Sequence, residues 1–277
     1  MTKKYILAID EGTASARAAL FDIASKNLVS IAAIGITQHY PKEGWVEHDA
    51  NQIWQAESEA IRACLKKVDA TADEIVGMGM ANQRESVLAW NKRTGEPISP
   101  VIVWQCRRTA KRCQDLAKTQ KKAIKAKTGL IADSYFSATK MEWLLNNNKE
   151  VKKLAKSGDL CLGTIDSFLC FKLTGKFVTD VTNASRTMLF NIKKLEWDEE
   201  LLKMFKIPAS ALAKVVNCDE IVGETTLFGG GKIAVAGIMG DQQAALFGQC
   251  CTSKGMVKST YGTGCFMLMN IGESFEA

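Results

Sequence analysis

Several features that would indicate other classes of protein are missing from this 277-residue sequence. Its nine cysteines contain no C-x-x-C pair, and its two histidines, His39 and His48, lie far from any group of cysteines. A structural zinc site is therefore not expected. No segment approaches the roughly 18 apolar residues of a membrane span, and the first apolar run is too short for a secretory signal. These absences predict a soluble cytoplasmic protein with reduced thiols and no membrane insertion.

The sequence also lacks the basic pattern of a protein that binds nucleic acid. Its 36 Lys and Arg residues outnumber 30 Asp and Glu by only six, and they are not interleaved regularly with aromatic residues. The densest basic run, 118–127 (KTQKKAIKAK), is interpreted as a solvated helix face, with a docking patch as the alternative. The mild positive charge suits a small anion such as a nucleotide.

What is present is the alternation of an α/β fold. Strands predicted at Tyr5–Ile9, Arg17–Asp22 and Leu28–Thr37 form an antiparallel meander. Helical spacing is then found at 51–68, 109–128, 137–147, 149–157, 168–173 and 244–249. Apolar strands are expected between these helices at 75–80, 87–90, 101–104, 160–164 and 232–238, with a final hairpin at 255–261 and 265–270. This order predicts a mixed sheet flanked by helices.

A strand followed by a Gly-Thr turn and a returning strand occurs twice, near the two ends of the chain. The turns are 9–13 (IDEGT) and 260–264 (TYGTG). Free backbone N–H groups and a threonine hydroxyl make such a turn a compact anion site. Two of them suggest two lobes that hold a triphosphate, although either turn alone could serve only to reverse the chain.

Two aspartates have the positions that phosphoryl transfer to an alcohol requires. Asp10 ends the first strand, where it could organise Mg²⁺ or simply stabilise the turn. Asp241 lies between a buried strand and a helix, where it could accept a hydroxyl proton or cap the helix. Gly240 before it permits close approach of a ligand. Gln242 after it offers both a donor and an acceptor.

Other candidates are less specific by themselves. Arg84 and Glu85 could present opposite charges to neighbouring hydroxyl groups, or form a surface ion pair of little value. Trp104 and Phe266 could pack against a carbon chain or belong to the core. Arg17 could reach a phosphate or remain an exposed strand residue.

Seven stretches, in order along essentially the whole chain, resemble the FGGY family of carbohydrate kinases. They are 10–17 (DEGTASAR), 40–49 (YPKEGWVEHD), 82–85 (NQRE), 102–109 (IVWQCRRT), 182–192 (TNASRTMLFNI), 237–249 (GIMGDQQAALFGQ) and 259–270 (STYGTGCFMLMN). The D-x-G-T motif alone would indicate only the wider group of actin-like ATPases. The NQRE, WQCRR and GDQQAALFGQ stretches are more specific, and they favour a member that acts on a small polyol.

The resemblance implies a ribonuclease-H-like α/β fold, with residues 1–250 as the N-terminal domain. Residues 251–277 would be the first hairpin of a second, nucleotide-binding domain. Family members are much longer, so the chain is expected to be a truncated portion that is weakly active or inactive alone. Members commonly form homo-oligomers. The implied reaction is the ATP-dependent phosphorylation of glycerol to sn-glycerol 3-phosphate with Mg²⁺, and it needs no nucleic acid or membrane partner.

The resemblance also assigns roles to individual residues. Asp241 would be the catalytic base and Asp10 the organiser of Mg²⁺. The residues expected to contact glycerol are Arg84, Glu85, Trp104, Tyr135, Asp241, Gln242 and Phe266. Those expected to contact the nucleotide phosphates are Thr13, Ala14, Ser15 and Arg17 from one lobe and Thr263 from the other.

Two residues depart from the family pattern. Ala14 stands where threonine is common, so one hydroxyl contact is lost while the backbone N–H remains. Glu11 replaces a frequent Gln or Asn and is predicted to add negative charge beside the phosphates. The alternative functions are a related kinase for another small polyol or ketose, and a non-catalytic binding module on the actin-like scaffold.

Overall fold

The computed structural model describes residues 3–262 and 264–273. Its strands are β1 Tyr5–Glu11, β2 Ser15–Asp22, β3 Leu28–Gly35, β4 Glu47–His48, β5 Ile75–Asn82, β6 Val87–Asn91, β7 Val101–Ile102, β8 Leu160–Thr164, β9 Val178–Asp180, β10 Phe190–Asn191, β11 Glu196–Trp197, β12 Lys214–Val216, β13 Gly223–Thr225, β14 Ile233–Gly240, β15 Val257–Tyr261 and β16 Cys265–Met269. Its α-helices are α1 Ala50–Lys66, α2 Ala110–Thr119, α3 Lys121–Thr128, α4 Ser137–Asn147, α5 Lys149–Ser157, α6 Ile165–Thr174, α7 Val181–Ala184, α8 Glu199–Phe205 and α9 Asp241–Gly248.

The main sheet has the strand order β13-β14-β5-β1-β2-β3. β1, β2 and β3 form an antiparallel meander, whereas β5 and β14 run parallel to β1. An antiparallel meander joined to parallel strands through helices is the ribonuclease-H-like arrangement. The predicted fold is therefore confirmed.

One face of this sheet forms the larger core. In β1 the side chains of Leu7 and Ile9 are buried and alternate with more exposed neighbours, as expected for a strand covered on one side. Helices α1 and α6 pack on that face. Asp49 caps α1 by accepting a 2.8 Å hydrogen bond from the backbone N–H of Asn51. Ile6 and Phe21, which pair across β1 and β2 on the opposite face, are substantially exposed.

A second core lies around the four-stranded sheet β4-β7-β6-β8. Helices α2 to α5 and α8 contribute its buried residues, among them Leu116, Met141 and Leu201. The hairpin of β15 and β16 is a separate two-stranded sheet. Within the described ranges, no helix has both the length and the apolar character needed to cross a membrane.

Several predicted helices have different bounds in the structure, and the one expected at 168–173 begins three residues earlier, at Ile165. The helix expected at 109–128 is divided in two, because the backbone at Gln120 leaves the helical region with φ −128°. This break lets Leu116 on one helix and Ile124 on the next both reach the second core. The helix expected at 244–249 begins three residues earlier, at Asp241 itself. Asp241 is therefore the first helical residue, and the residue before the helix is Gly240.

Candidate active site

A single cleft of about 320 Å³ collects the residues that the sequence singled out. It lies where β1, β5 and β14 end side by side, since Glu11 and Gly240 both pair with Asn82 at the last positions of these strands. Every predicted site residue that the structure describes lines this cleft: Asp10, Thr13, Ala14, Ser15, Arg17, Arg84, Glu85, Trp104, Tyr135, Asp241, Gln242 and Phe266. Thr263 lies outside the described residues.

Charged groups in contact connect the two sides of the cleft floor. Arg84 Nε lies 3.1 Å from Asp241 Oδ1 and 4.0 Å from Glu85 Oε1. The first contact is ionic, because the Nε–H is not aimed well enough at the oxygen for a hydrogen bond. Both Arg84 and Glu85 are buried, so the alternative of a surface ion pair is wrong. Breaking a buried pair leaves an uncompensated charge and costs about 3–5 kcal/mol.

Arg84 passes directly over the end of β14. A Cβ atom on Gly240 would lie 2.6 Å from Arg84 Cδ, closer than packed atoms can approach. The space that is free because Gly240 has no side chain is therefore occupied by the side chain of Arg84. Gln243 Oε1 accepts a 3.0 Å hydrogen bond from Arg84 Nη1 and holds the guanidinium there.

The loop after β5 is held in an unusual conformation by buried hydrogen bonds. Glu85 has φ +64°, a left-handed conformation that a non-glycine residue adopts only at a cost of about 1–3 kcal/mol. Below it, Gln83 Nε2 donates to Glu11 Oε1 at 2.9 Å, and Ser86 Oγ donates to Gln83 Oε1 at 2.7 Å. This network fixes the direction in which the Arg84 and Glu85 side chains leave the loop.

Three aromatic residues form the apolar wall. The ring centroids of Trp104 lie 5.6 Å from Tyr135 and 6.0 Å from Phe266, both with edge-to-face geometry. Trp104 also donates from Nε1 to Thr13 Oγ1 at 2.9 Å, which ties the wall to the first turn. The pKa of Tyr135 is raised, mainly because the side chain is buried. Its phenol therefore stays a neutral hydrogen-bonding group.

The two glycine-containing turns border the same cleft. In the first, Gly12 N donates to Ser15 O at 3.0 Å. In the second, Gly262 N donates to Gly264 O, also at 3.0 Å. Arg17 on β2 does not point freely into the cleft, because its Nη1 pairs with Asp10 Oδ2 at 3.0 Å. A phosphate that displaced Asp10 from Arg17 would find a cation already in place.

Asp10 is one of three carboxylates among the described residues that line this cleft, with Glu85 and Asp241, and it is the one beside the first glycine-containing turn. Partial burial raises its pKa, and the hydrogen bond from Arg17 limits that rise. Among residues 3–262 and 264–273, no three His, Cys, Asp or Glu side chains are arranged to hold a metal ion. The residues therefore fit an ion that is held by Asp10, water and the phosphates of a nucleotide, and not one bound by protein alone.

The expectation that Glu11 adds charge beside the phosphates is wrong. Its side chain is fully buried, its Oε2 has no hydrogen-bond partner, and burial raises its pKa well above the usual range. The charge of Glu57, also fully buried, adds to that rise. Both conditions favour the neutral acid, which resembles the amide that it replaces in shape and in charge.

Three cationic residues of the site were not predicted. Arg186 Nε lies 2.6 Å from Glu85 Oε1. Lys140 is buried and donates to the carbonyl oxygens of Ser134 and Tyr135, and burial lowers its pKa to about 7. Lys258 on β15 donates to Gln242 Oε1 on α9 and, at 2.7 Å, to Thr260 Oγ1. Only two of them could have been noticed in the sequence, because Arg186 lies in a family-like stretch and Lys258 lies directly before one.

Strand order, two turns facing one cleft and a carboxylate at the carboxyl end of a central strand define an actin-like kinase fold. The chain belongs to the FGGY family of carbohydrate kinases, whose N-terminal domain matches residues 5–248. The family predicted from the sequence is thus confirmed.

Individual relatives sharpen this likeness. A glycerol kinase of Carboxydothermus hydrogenoformans is 51% identical over 278 residues, covering 99% of this chain and 55% of that protein. The crystal structure of Plasmodium falciparum glycerol kinase with ADP superposes with a TM-score of 0.91 at 34% identity, over 99% of this chain and 55% of that one. A ligand-bound xylulose kinase from Lactobacillus acidophilus superposes with a TM-score of 0.86 at 26% identity, over 95% and 54% of the two chains. The chain spans about half the length of these relatives.

Proposed function

We propose that this chain is the acceptor-binding part of a glycerol kinase, which transfers the terminal phosphoryl group of ATP to glycerol. The observation that supports it best is the meeting of Arg84, Glu85, Tyr135, Asp241 and Gln242 in one cleft. Carboxylate, guanidinium, amide and phenol groups together can hydrogen-bond three hydroxyl groups. Trp104 and Phe266 offer an apolar surface to the carbon side of the same molecule.

Asp241 is the proposed base. Its Oδ atom takes the proton of one glycerol hydroxyl as that oxygen attacks the γ-phosphorus. The bond from phosphorus to the bridging β-phosphate oxygen breaks, and the electron pair leaves with ADP. The guanidinium of Arg84 lies 3.1 Å from Asp241 Oδ1, and Asp241 is the first residue of α9, so a cation and a helix N-terminus both face the proposed base.

The first turn and Arg17 are the proposed contacts of the phosphates on one side, and the second turn, with Thr263, on the other. Mg²⁺ held through Asp10 would neutralise charge on the transferring group. The contacts of Trp104 support this division of the cleft into a phosphate part and an acceptor part. Its Nε1 donates to Thr13 in the first turn, and its ring packs against Phe266 in the apolar wall. Positioning and charge stabilisation are the main contributions that phosphoryl transfer needs.

The family match ends at residue 248, so residues 251–277 are proposed to begin a second, nucleotide-binding domain. The chain by itself should then bind glycerol weakly, at about millimolar concentration, and turn over little ATP. Assembly into homo-oligomers and a cytoplasmic location remain predictions of the sequence.

The decisive experiment is an NMR titration of the 277-residue chain with glycerol, erythritol, xylitol and xylulose. Glycerol should bind saturably and best. Arg84→Met should abolish binding, while Arg112→Met, which breaks the Arg112–Glu142 pair outside this cleft, should not change it. A preference for a larger polyol or ketose would favour the related kinase, and binding of none of them would favour a non-catalytic module.

Catalysis needs its own test in the longer protein. Asp241→Asn keeps the shape of the side chain but removes the base, so glycerol should still bind while phosphorylation falls about 100-fold or more. Unchanged phosphorylation would show that another group takes the proton.

A further inference from the structure

The stretch 182–192 resembles the family but has no assigned role, and the structure places its first part directly behind the cleft. Asn183 and Asn82 exchange two side-chain hydrogen bonds of 3.0 Å, which join α7 to the end of β5. Thr182 Oγ1 accepts from the backbone N–H of Gly240 at 2.8 Å, which joins α7 to the end of β14. These contacts fix Arg186, two residues past α7, relative to both strands.

Arg186 connects two proposed glycerol-binding residues that are far apart in sequence. Its Nε lies 2.6 Å from Glu85 Oε1 and donates a hydrogen bond to it. The guanidinium carbon lies 5.4 Å from the ring centroid of Tyr135 and 4.8 Å from that of Phe136. Arg186 itself does not line the cleft.

The Glu85 carboxylate depends on this contact. It is almost completely buried, on a residue with strained φ, and its other cation, Arg84, is 4.0 Å away and also faces Asp241. Arg186 is therefore the closest positive charge to Glu85. A planar guanidinium can hold a carboxylate at a fixed angle while it packs beside aromatic rings, which the single ammonium of lysine does less well.

We propose that Arg186 is a positioning residue for the acceptor, which orients the Glu85 carboxylate through its ion pair and supports the Tyr135 ring with its guanidinium, so that both side chains address glycerol. This inference rests on the proposed function. It assigns the Asp180–Arg186 region a role in acceptor binding although none of its residues lines the cleft.

The test measures glycerol affinity in the 277-residue chain by NMR titration, with thermal denaturation of each variant. Arg186→Met should weaken glycerol binding about tenfold. Arg186→Lys, which keeps the charge and the fold, should recover only part of that loss. Arg112→Met is the control, because Arg112 also pairs with a glutamate, Glu142, through two hydrogen bonds of 2.9 and 3.0 Å outside the cleft. Loss of this pair should lower the melting temperature but leave glycerol affinity unchanged.

A double-mutant cycle tests the route of the effect. If Arg186 acts by holding Glu85, the loss caused by Arg186→Met should shrink when Glu85→Gln is already present. Wild-type affinity in both Arg186 variants, or fully additive losses in the cycle, would overturn the inference while leaving the proposed function intact. Failure of the wild-type chain to bind glycerol would overturn both.

Discussion

The two turns that border the cleft are held in different ways. The first joins the central strand β1 to β2, and fully buried groups, including Glu11 and Gln83, lie directly beneath it. The second is the tip of a two-stranded hairpin whose side chains are largely exposed, with Tyr261 at 80%. Lys258 is the buried side chain that ties this hairpin to α9. The first turn is thus held by the core, whereas the second turn depends on a few local contacts.

The largest expected effect is a change of folding stability with pH, caused by the buried acids beneath the first turn. Burial raises the pKa of Glu57 from 4.5 to about 8, and the nearby charge of Asp10 contributes. The folded chain then keeps a proton that the unfolded chain releases above its lower pKa. Stability should therefore be greatest below about pH 4.5 for this group and fall by at most about 1.4 kcal/mol per pH unit as the pH rises toward 8.

Urea unfolding between pH 5 and 8 checks this slope, compared with Glu57→Gln. The variant should have a flatter profile, since it cannot ionise. Glu59→Gln on the exposed side of the same helix should keep the wild-type slope. A steep profile that survives Glu57→Gln would assign the pH dependence to other groups.

The next largest effect should be on glycerol affinity, when the Arg84 side chain is displaced from its position over the end of β14. Gly240→Ala places a methyl group 2.6 Å from Arg84 Cδ, so the arginine must move away from Asp241. Glycerol affinity should fall about 10- to 100-fold. Gly248→Ala, at the end of the adjacent helix with nothing within 4 Å of the new atom, should be neutral in the same titration. Equal affinities in the two variants would mean that Arg84 does not need its position.

A smaller effect should follow from separating the hairpin from α9. Lys258→Met keeps the length of the buried side chain but removes its bonds to Gln242 and Thr260. Glycerol affinity should fall about threefold through Gln242, by under 1 kcal/mol. Lys254→Met, exposed in the turn that leads into the hairpin, is the matched control. If Lys258→Met melts the whole chain, the two turns are not held as differently as their contacts indicate.

The smallest effect should come from the hairpin surface. Tyr261→Ser changes a side chain that is mostly in solvent, so the free energy of unfolding should change by less than about 0.5 kcal/mol. A large loss of stability, measured by urea unfolding, would reveal contacts that its exposure does not suggest.

The sequence alone predicted the meander and the mixed sheet. Every described residue to which it assigned a role in the site lines the cleft. These predictions succeeded because strand periodicity and family-like stretches are local patterns. The division of the helix at Gln120 was not predicted, because both halves have helical spacing and only the second core requires the change of direction. The raised pKa of Glu11 was also not predicted. It results from burial, and whether a side chain is buried depends on the tertiary fold.

By itself, the sequence determined which side chains are the candidates for chemistry and where strands give way to turns, since those properties are encoded in short segments. The tertiary structure decided how the side chains act on one another. Arg84 meets Asp241 across 157 positions of sequence, and Arg186 meets Glu85 across 101. Such contacts arise because parallel strands end at the same edge of a sheet, a consequence of packing that no local pattern contains.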